Sequence, residues 1–171
     1  MTSHEQFSIL GAVALAMCLG GLIGAERQLA DKPAGLRTHM LIAGAAALLT
    51  AIGNALLTNA YQLPGDAVRA DPLRIIEAII TGISFIGAGT IIRSHRSERV
   101  EGLTTAASIL FSAVLGICVA RHLFVLAVGI TLLTLLVLRA IGAVEQRLEN
   151  RLRHTQQRTQ AGANKTGKPL A

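Results

Sequence analysis

Three short polar stretches stand at the ends of long apolar runs and carry side chains that could do chemistry. They are Glu26-Arg27, Arg37-Thr38-His39 and Thr104-Thr105. Carboxylate, guanidinium and hydroxyl groups that converge in one place can bind an ion or a polar group of a partner protein. The same residue types also cap helices and anchor them at a membrane–water boundary. Both interpretations stay open for these stretches.

A second polar group lies at the start of the third apolar run. Asp71, Arg74 and Glu77 follow one another at intervals of three residues, so a helix brings them to neighbouring positions. Opposite charges at this spacing can pair, which lowers the free-energy cost of placing them beside lipid. Glu77 lies deepest in the run and is the better functional candidate of the three.

The motifs and the composition do not indicate an enzyme, a metal site or a nucleic-acid-binding protein. The sequence lacks the HExxH, GxSxG, Walker and glycine-rich dinucleotide patterns. Cys18 and Cys118 lie in apolar runs without a metal-ligand or disulfide spacing, which favours small buried side chains. The net charge is +6, but only 3% of the residues are aromatic, so stacking on bases is disfavoured. We therefore expect no catalytic residue, no metal, no cofactor and no nucleic-acid partner.

Five apolar runs separate these polar groups. Hydrophobic residues make up 51% of the 171 residues, and charged residues make up only 15%. A membrane-spanning helix needs about 20 mostly apolar residues, and the runs cover residues 7–25, 38–57, 73–92, 103–120 and 123–141. The first run lacks the preceding basic residues of a signal peptide. The sequence thus predicts an all-α membrane protein, with a five-helix transmembrane bundle over 1–142 and a basic, disordered tail over 143–171.

The distribution of basic residues predicts the orientation of the bundle. Thirteen of the 16 Lys and Arg residues lie in the first and third loops and at the C-terminal end, all on one side of the membrane. The positive-inside rule assigns that side to the cytoplasm. We expect the N-terminus outside, the C-terminus in the cytoplasm, and a tight external hairpin at Arg121-His122.

Small residues recur at every fourth position in three of the runs and predict close helix packing. Ala12, Ala16, Gly20 and Gly24 share one face of the first run, and runs two and four repeat the pattern. Apolar side chains do not drive helix association in lipid, so small residues that let backbones approach must contribute. The glycines expected at helix contacts are Gly20, Gly24, Gly82, Gly87, Gly89 and Gly116.

The loop between runs one and two has flanks similar to those of the loop between runs three and four. Ile23–Glu26 precedes the first loop and Gly35–Thr38 follows it, while Ile86–Gly89 and Gly102–Thr105 flank the second. Either a duplicated helix–loop–helix unit or chance similarity between glycine-rich segments explains this pattern. A duplication would bring the polar stretches together at one membrane boundary.

Four stretches, taken together, resemble the MgtC/SapB family of bacterial inner-membrane proteins over about Gly20 to Gly116. They are Gly20–Gln28, Ala34–Thr38, Gly82–Gly89 and Gly102–Ala107. The resemblance implies a five-span bundle in the inner membrane and a role in adaptation to low magnesium, acid or life inside host cells. Members of this family are thought to modulate other membrane machinery rather than to transport magnesium. The proton-translocating ATP synthase is a proposed partner of MgtC itself.

The chain departs from the family pattern in three places. MgtC has Asn at the position of Thr104 and Cys at that of Phe111, so roles of those side chains do not carry over. The loop at 93–101 is longer than in MgtC. Family members often carry a soluble C-terminal domain, whereas a short polar tail follows the last run of this sequence.

Two hypotheses of function follow, from different classes. The first is a non-enzymatic modulator whose partners are membrane lipid and either another integral membrane protein or a second copy of the chain. The alternative is a small ion or solute transporter, or a channel subunit, that uses Glu77 or Glu26. The candidate functional residues are Glu26, Arg27, Arg37, Thr38, Glu77, Thr104 and Thr105.

Overall fold

All the secondary structure that the described residues form is helical. The structure, a computed structural model, describes residues 2–60, 71–92, 102–140 and 142. Its helices in chain order are α1 (Ser3–Leu29), α2 (Leu36–Ala60), α3 (Leu73–Ile92), α4 (Leu103–Ala120) and α5 (Phe124–Ala140). The all-α fold class and the five predicted helices are therefore confirmed for this part of the chain.

Helices α1 to α4 are long and apolar enough to cross a membrane, and α5 is a shorter apolar helix. The bounds of α3 and α4 agree with the predicted runs, while α1 and α2 extend beyond theirs at both ends. Large apolar side chains on the outside, such as Phe7, Leu41 and Leu56, are exposed, as expected where helices face lipid. The orientation of the termini stays a prediction. Arg69, the whole loop at 93–101 and the tail over 143–171 lie outside the described residues.

Polar side chains close the starts of three helices. Thr2 and Glu5 form a capping box on α1, in which the Thr2 N–H donates to Glu5 Oε2 (2.7 Å). The Leu36 N–H at the start of α2 donates to Gln28 Oε1 (3.3 Å), so a side chain from α1 caps the next helix. Asp71 Oδ1 accepts a hydrogen bond from the Leu73 N–H (2.8 Å) before α3. In the structure Asp71 therefore caps α3, and the ion pairing expected among Asp71, Arg74 and Glu77 is not formed between these described residues.

Helices α2 and α4 form the centre of the bundle. Helix α1 packs against both, and α3 packs mainly on α4 and least on α2. The helix contacts correspond between the hairpin α1–α2 and the hairpin α3–α4. The α1–α2 contact corresponds to α3–α4, and the α1–α4 contact corresponds to α2–α3. The α2–α4 contact corresponds to itself. A duplicated helix–loop–helix unit is compatible with this set of contacts, and the duplication itself stays a prediction.

The helix contacts are made through small residues. A Cβ at Gly20 would lie 2.7 Å from the His39 carbonyl oxygen, and one at Gly24 would lie 2.7 Å from Leu36 Cα, so α1 touches the backbone of α2. Gly116 on α4 approaches the Ala43 carbonyl group of α2 even more closely. Only residues without a side chain permit such approaches.

The α4–α5 connection is the tight turn that the sequence predicts. The His122 N–H donates to the Val119 carbonyl oxygen (3.0 Å) and the Leu123 N–H to that of Cys118 (2.9 Å), which is the Schellman pattern of helix ends. His122 adopts the left-handed conformation that this motif requires (φ 58°).

Residues up to Thr134 form one compact unit, and those from Leu135 belong to a second. Within the first unit, the side chain of Val125 on α5 is 90% exposed and those of Leu132 and Leu133 are 62% exposed. This exposure agrees with the lipid-facing position expected for the last run.

Gly102 is a position where a side chain would strain the backbone. Its φ is 95°, and a Cβ there would lie 3.0 Å from the Thr90 carbonyl oxygen. We expect Gly102→Ala to lower the free energy of unfolding by about 1–2 kcal/mol, because an L-residue is disfavoured in the left-handed region. Reversible denaturation in mixed micelles measures this, with Gly11→Ala as control because a Cβ at Gly11 meets open space. Equal stability of the two variants would refute the strain.

Candidate functional site

A buried ion pair occupies the C-terminal end of α1. Arg27 Nε donates to Glu26 Oε2 (2.7 Å) and Arg27 Nη2 donates to Glu26 Oε1 (3.0 Å). The side chains of Arg27 and Glu26 are only 5% and 10% exposed. A two-point guanidinium–carboxylate contact of this kind is directional and charge-assisted. The predicted pair Glu26-Arg27 therefore faces the protein interior.

His39 lies beside this pair at the start of α2 and is fully buried. Its Nδ1 is 2.9 Å from the Gly35 carbonyl oxygen, and its Nε2 is 3.1 Å from Ser108 Oγ on α4. Ser108 Oγ is also 2.9 Å from the Thr105 carbonyl oxygen. The charges of Arg27 and Glu26 both act on the imidazole ring.

These residues form one polar cluster, which we define as Glu26, Arg27, His39, Thr105 and Ser108. It lies where α1 ends and where α2 and α4 begin. A Cβ at Gly24 would lie 2.9 Å from His39 Cβ, so α1 approaches α2 closely beside His39. Among the described residues, every buried side-chain nitrogen and oxygen has a hydrogen-bond partner. The cluster can therefore hold charge inside the bundle without an unpaired polar atom.

The other predicted polar residues lie outside this cluster. Arg37 and Thr104 are exposed, and Thr38 is half-buried, so these three stand at the rim of the same end of the bundle. Glu77 is exposed on α3. Of the seven candidate residues, the structure brings together Glu26, Arg27 and Thr105.

The side of α3 that faces away from the bundle forms a second feature, which we call the outer face of α3. Ile79 and Gly87 of α3 are buried against the bundle, and a Cβ at Gly87 would lie 3.3 Å from Ala106 Cβ on α4. Apart from Phe85, the opposite side carries small and polar residues where lipid favours large apolar ones. Its members are all exposed: Arg74, Glu77, Ala78, Thr81, Gly82, Ser84, Phe85, Ala88 and Gly89.

Two of the glycines expected at helix contacts lie on this outer face. No atom of the described residues would lie within 4 Å of a Cβ at Gly82 or at Gly89. These positions are therefore open on the described part of the chain, in contrast to Gly20, Gly24 and Gly116.

A cleft of about 330 Å³ opens at the opposite end of the bundle from the polar cluster. Its polar lining comes from Ser8, Asn54, Arg121 and His122. The Arg121 guanidinium donates to Asn54 Oδ1 (3.3 Å) across it. Within the part of the chain that the structure describes, no group of three or more His, Cys, Asp or Glu side chains is placed to hold a metal ion.

Ser108 is the residue of the cluster that sequence reasoning missed. It belongs to the every-fourth pattern of small residues in run four, where its hydroxyl carries no signal beyond small size. His39 was visible as part of Arg37-Thr38-His39, but its partner stands 69 positions away. Only the packing of α2 on α4 brings the two together.

Comparisons with known proteins identify one protein family. Residues 13–147 match the MgtC family. YhiD of Escherichia coli strain K12, described as a "putative magnesium transporter", is 39% identical over 142 residues, which are 83% of this chain and 64% of YhiD. MgtC of Salmonella typhimurium strain LT2 is 39% identical over 120 residues, which are 70% of this chain and 46% of MgtC. SapB of Bacillus subtilis is 40% identical over 110 residues, which are 64% of this chain and 46% of SapB.

The chain thus spans about half to two thirds of the length of these relatives. No solved structure matches it.

Proposed function

The chain belongs to the MgtC family and is a multi-pass protein of the bacterial inner membrane, and we propose that it serves magnesium-related adaptation as a non-enzymatic modulator. In this proposal it acts through contact between the outer face of α3 and a transmembrane helix of another membrane protein. The description of YhiD as a "putative magnesium transporter" supports the magnesium-related setting.

The exposure of polar and small residues along a spanning helix is the observation that carries this proposal. Glu77 is exposed within the candidate span Leu73–Ile91. An ionisable group that faces hydrocarbon is costly, so such groups normally face protein or water. Thr81 and Ser84 continue the same face toward the middle of the span. A second helix that covers this face would remove all three from lipid.

The residues of the outer face of α3 indicate which side chains the partner helix carries. Gly82 and Gly89 let another backbone approach closely, which favours a partner with small residues of its own. The Glu77 carboxylate requires a hydrogen-bond donor or a cation at the same depth, such as Arg, Lys or Asn. The side chain of Phe85, which is 83% exposed, adds contact area beside the glycines. We propose the membrane part of the proton-translocating ATP synthase as a candidate for this partner.

Photo-crosslinking in native membranes tests the proposal. A photoreactive residue in place of Ser84 is expected to form an adduct with another membrane protein in magnesium-limited cells. The same residue in place of Leu41, which is 65% exposed on α2, is expected to form none. Adding Gly82→Ile should remove the adduct, because the larger side chain blocks the approach of the partner backbone.

The matched control is Gly11→Ile, the same change at a glycine with open surroundings on α1. It should leave the adduct unchanged. Adducts of the Ser84 probe with only a second copy of the chain, or equal adducts from Ser84 and Leu41, would contradict the proposal.

A transporter is the second candidate, and the description of YhiD is the observation that favours it. In that case the cleft at Asn54 and Arg121 would be an entry site, and Glu77 or Glu26 would contact the ion. Uptake is measured in proteoliposomes that contain the unchanged chain, Glu77→Gln or Glu26→Gln. Magnesium uptake by the unchanged chain that either substitution abolishes would favour the transporter over the modulator. Uptake no faster than into empty liposomes would remove this candidate.

A further inference from the structure

The hydrogen bonds around His39 restrict where the hydrogens of the ring lie. A carbonyl oxygen only accepts, and the Gly35 carbonyl oxygen is 2.9 Å from Nδ1, so Nδ1 carries a hydrogen. The ring is therefore either the neutral Nδ1–H tautomer or the doubly protonated cation. The two forms differ only at Nε2, which faces Ser108 Oγ at 3.1 Å.

Ser108 has one hydroxyl hydrogen and two acceptors within reach. When the ring is neutral, Nε2 is an acceptor and the Ser108 hydroxyl donates to it. When the ring is protonated, Nε2–H donates to Ser108 Oγ, and the hydroxyl hydrogen turns to the Thr105 carbonyl oxygen at 2.9 Å. That carbonyl also lies within the hydrogen-bond ladder of α4, so it keeps a partner in either case. Both forms of the ring thus leave every buried group hydrogen-bonded.

We propose that His39 is a proton-binding site that links the α2–α4 contact to the proton concentration. Binding of one proton from water at Nε2 reverses the direction of the His39–Ser108 hydrogen bond. The reversed bond is charge-assisted and stronger, so proton uptake strengthens this one bond between α2 and α4, against the cost of charging a fully buried ring. This inference goes beyond the modulator function and does not depend on it.

The charged surroundings of the ring are compatible with both forms. From α1, the Glu26 carboxylate and the Arg27 guanidinium face it as a pair whose charges cancel. From α4, the groups in contact are the hydroxyl of Ser108 and, through it, the carbonyl of Thr105. On α2 itself, Arg37 is exposed to the outside. The Ser108 hydroxyl can donate to the neutral ring and accept from the protonated one.

Nitrogen-15 NMR of the full chain in lipid nanodiscs, with labelled histidine, tests the proposal. His39→Gln identifies the resonances of His39 among those of the five histidines. We expect the neutral Nδ1–H tautomer at high pH and a single reversible step to the doubly protonated ring on acidification, with the protein folded throughout. The Nε2–H tautomer, or a ring that stays neutral until the protein unfolds, would overturn the proposal.

Two serine variants separate the proposed link from a general effect of packing. Ser108→Ala removes the hydroxyl group that faces His39 Nε2. The protonation step of His39 should then move to lower pH by about one unit. The reason is that the charged ring makes the stronger hydrogen bond to Ser108 and loses more when the hydroxyl is removed. Ser112→Ala is the matched control. Ser112 is equally buried one turn along α4 and donates to the Ser108 carbonyl oxygen (3.1 Å).

The control variant should leave the protonation step in place. Ser108→Thr keeps a hydroxyl and serves if Ser108→Ala does not fold; it should retain a step close to that of the unchanged chain. Equal shifts in Ser108→Ala and Ser112→Ala, or no step in a folded Ser108→Thr chain, would overturn the role of Ser108.

Discussion

Replacing Glu26 with alanine is expected to lower the free energy of unfolding by about 3–5 kcal/mol, the range measured when one partner of a buried ion pair is removed. The Arg27 side chain is 5% exposed and would keep its charge inside the bundle without the carboxylate. Folding would then have to desolvate a guanidinium for which the described residues offer no second carboxylate. Denaturation in mixed micelles measures this loss of stability. Because the ion pair is buried, we expect a larger loss than from a substitution at an exposed residue.

A double substitution shows that the loss comes from the unpaired charge. Glu26→Leu together with Arg27→Met removes both charges and keeps the volume, so stability should return to within about 1.5 kcal/mol of the unchanged chain. Glu5→Ala is the control. Glu5 is exposed, and its substitution removes a helix-capping hydrogen bond, which lowers the free energy of unfolding by about 1 kcal/mol. A double variant as unstable as Glu26→Ala would show that the site needs the charges themselves.

Substitution of Gly116 by valine is expected to have the second largest effect. A Cβ at this position would overlap the Ala43 carbonyl oxygen and lie 3.1 Å from Ala46 Cβ. A backbone atom cannot rotate away, so α2 and α4 must separate. We expect a loss of about 3 kcal/mol, at the upper end for overpacking, measured by the same denaturation.

Gly129→Val on α5 is the matched control, because a Cβ at Gly129 meets no described atom within 4 Å. It carries the same helix-propensity penalty of a β-branched residue without the clash. Equal stability of the two variants would contradict the close α2–α4 approach. A loss of stability in Gly116→Val but not in Gly129→Val would support the close α2–α4 approach. It would also support the helix crossing that places Ser108 beside His39.

Helix α4 joins the polar cluster to the outer face of α3. It carries Ser108 against His39 of α2, and Ala106 of the same helix packs against Gly87 of α3. A change in the α2–α4 contact would therefore reach the one helix whose outer face we assign to a partner. This arrangement gives proton binding at His39 a short physical route to the proposed interface.

Much of the fold was predictable because hydropathy and spacing are local signals. The run at 103–120 coincides with α4, and the turn at Arg121-His122 follows from the two polar residues between apolar runs. The every-fourth pattern in run one also reflects packing, since Gly20 and Gly24 touch the backbone of α2. In each case a short stretch of chain contains the whole signal.

The arrangement of the site could not be predicted in the same way. The contact between His39 and Ser108 depends on the crossing of α2 and α4, which sequence spacing does not determine. Likewise, the sequence marks Gly82 and Gly20 as similar small positions, although one faces outward and the other packs on a backbone. The direction in which a helix turns its small residues depends on all its neighbours at once.

Growth under magnesium limitation tests most directly whether the outer face of α3 carries the function. In cells that lack the native gene, the unchanged chain should restore growth and Gly11→Ile should do so equally well. Gly82→Ile, at the same abundance in the membrane, should fail to restore it, because the partner helix can no longer approach. Full growth with Gly82→Ile would contradict the proposed interface and the modulator function that depends on it.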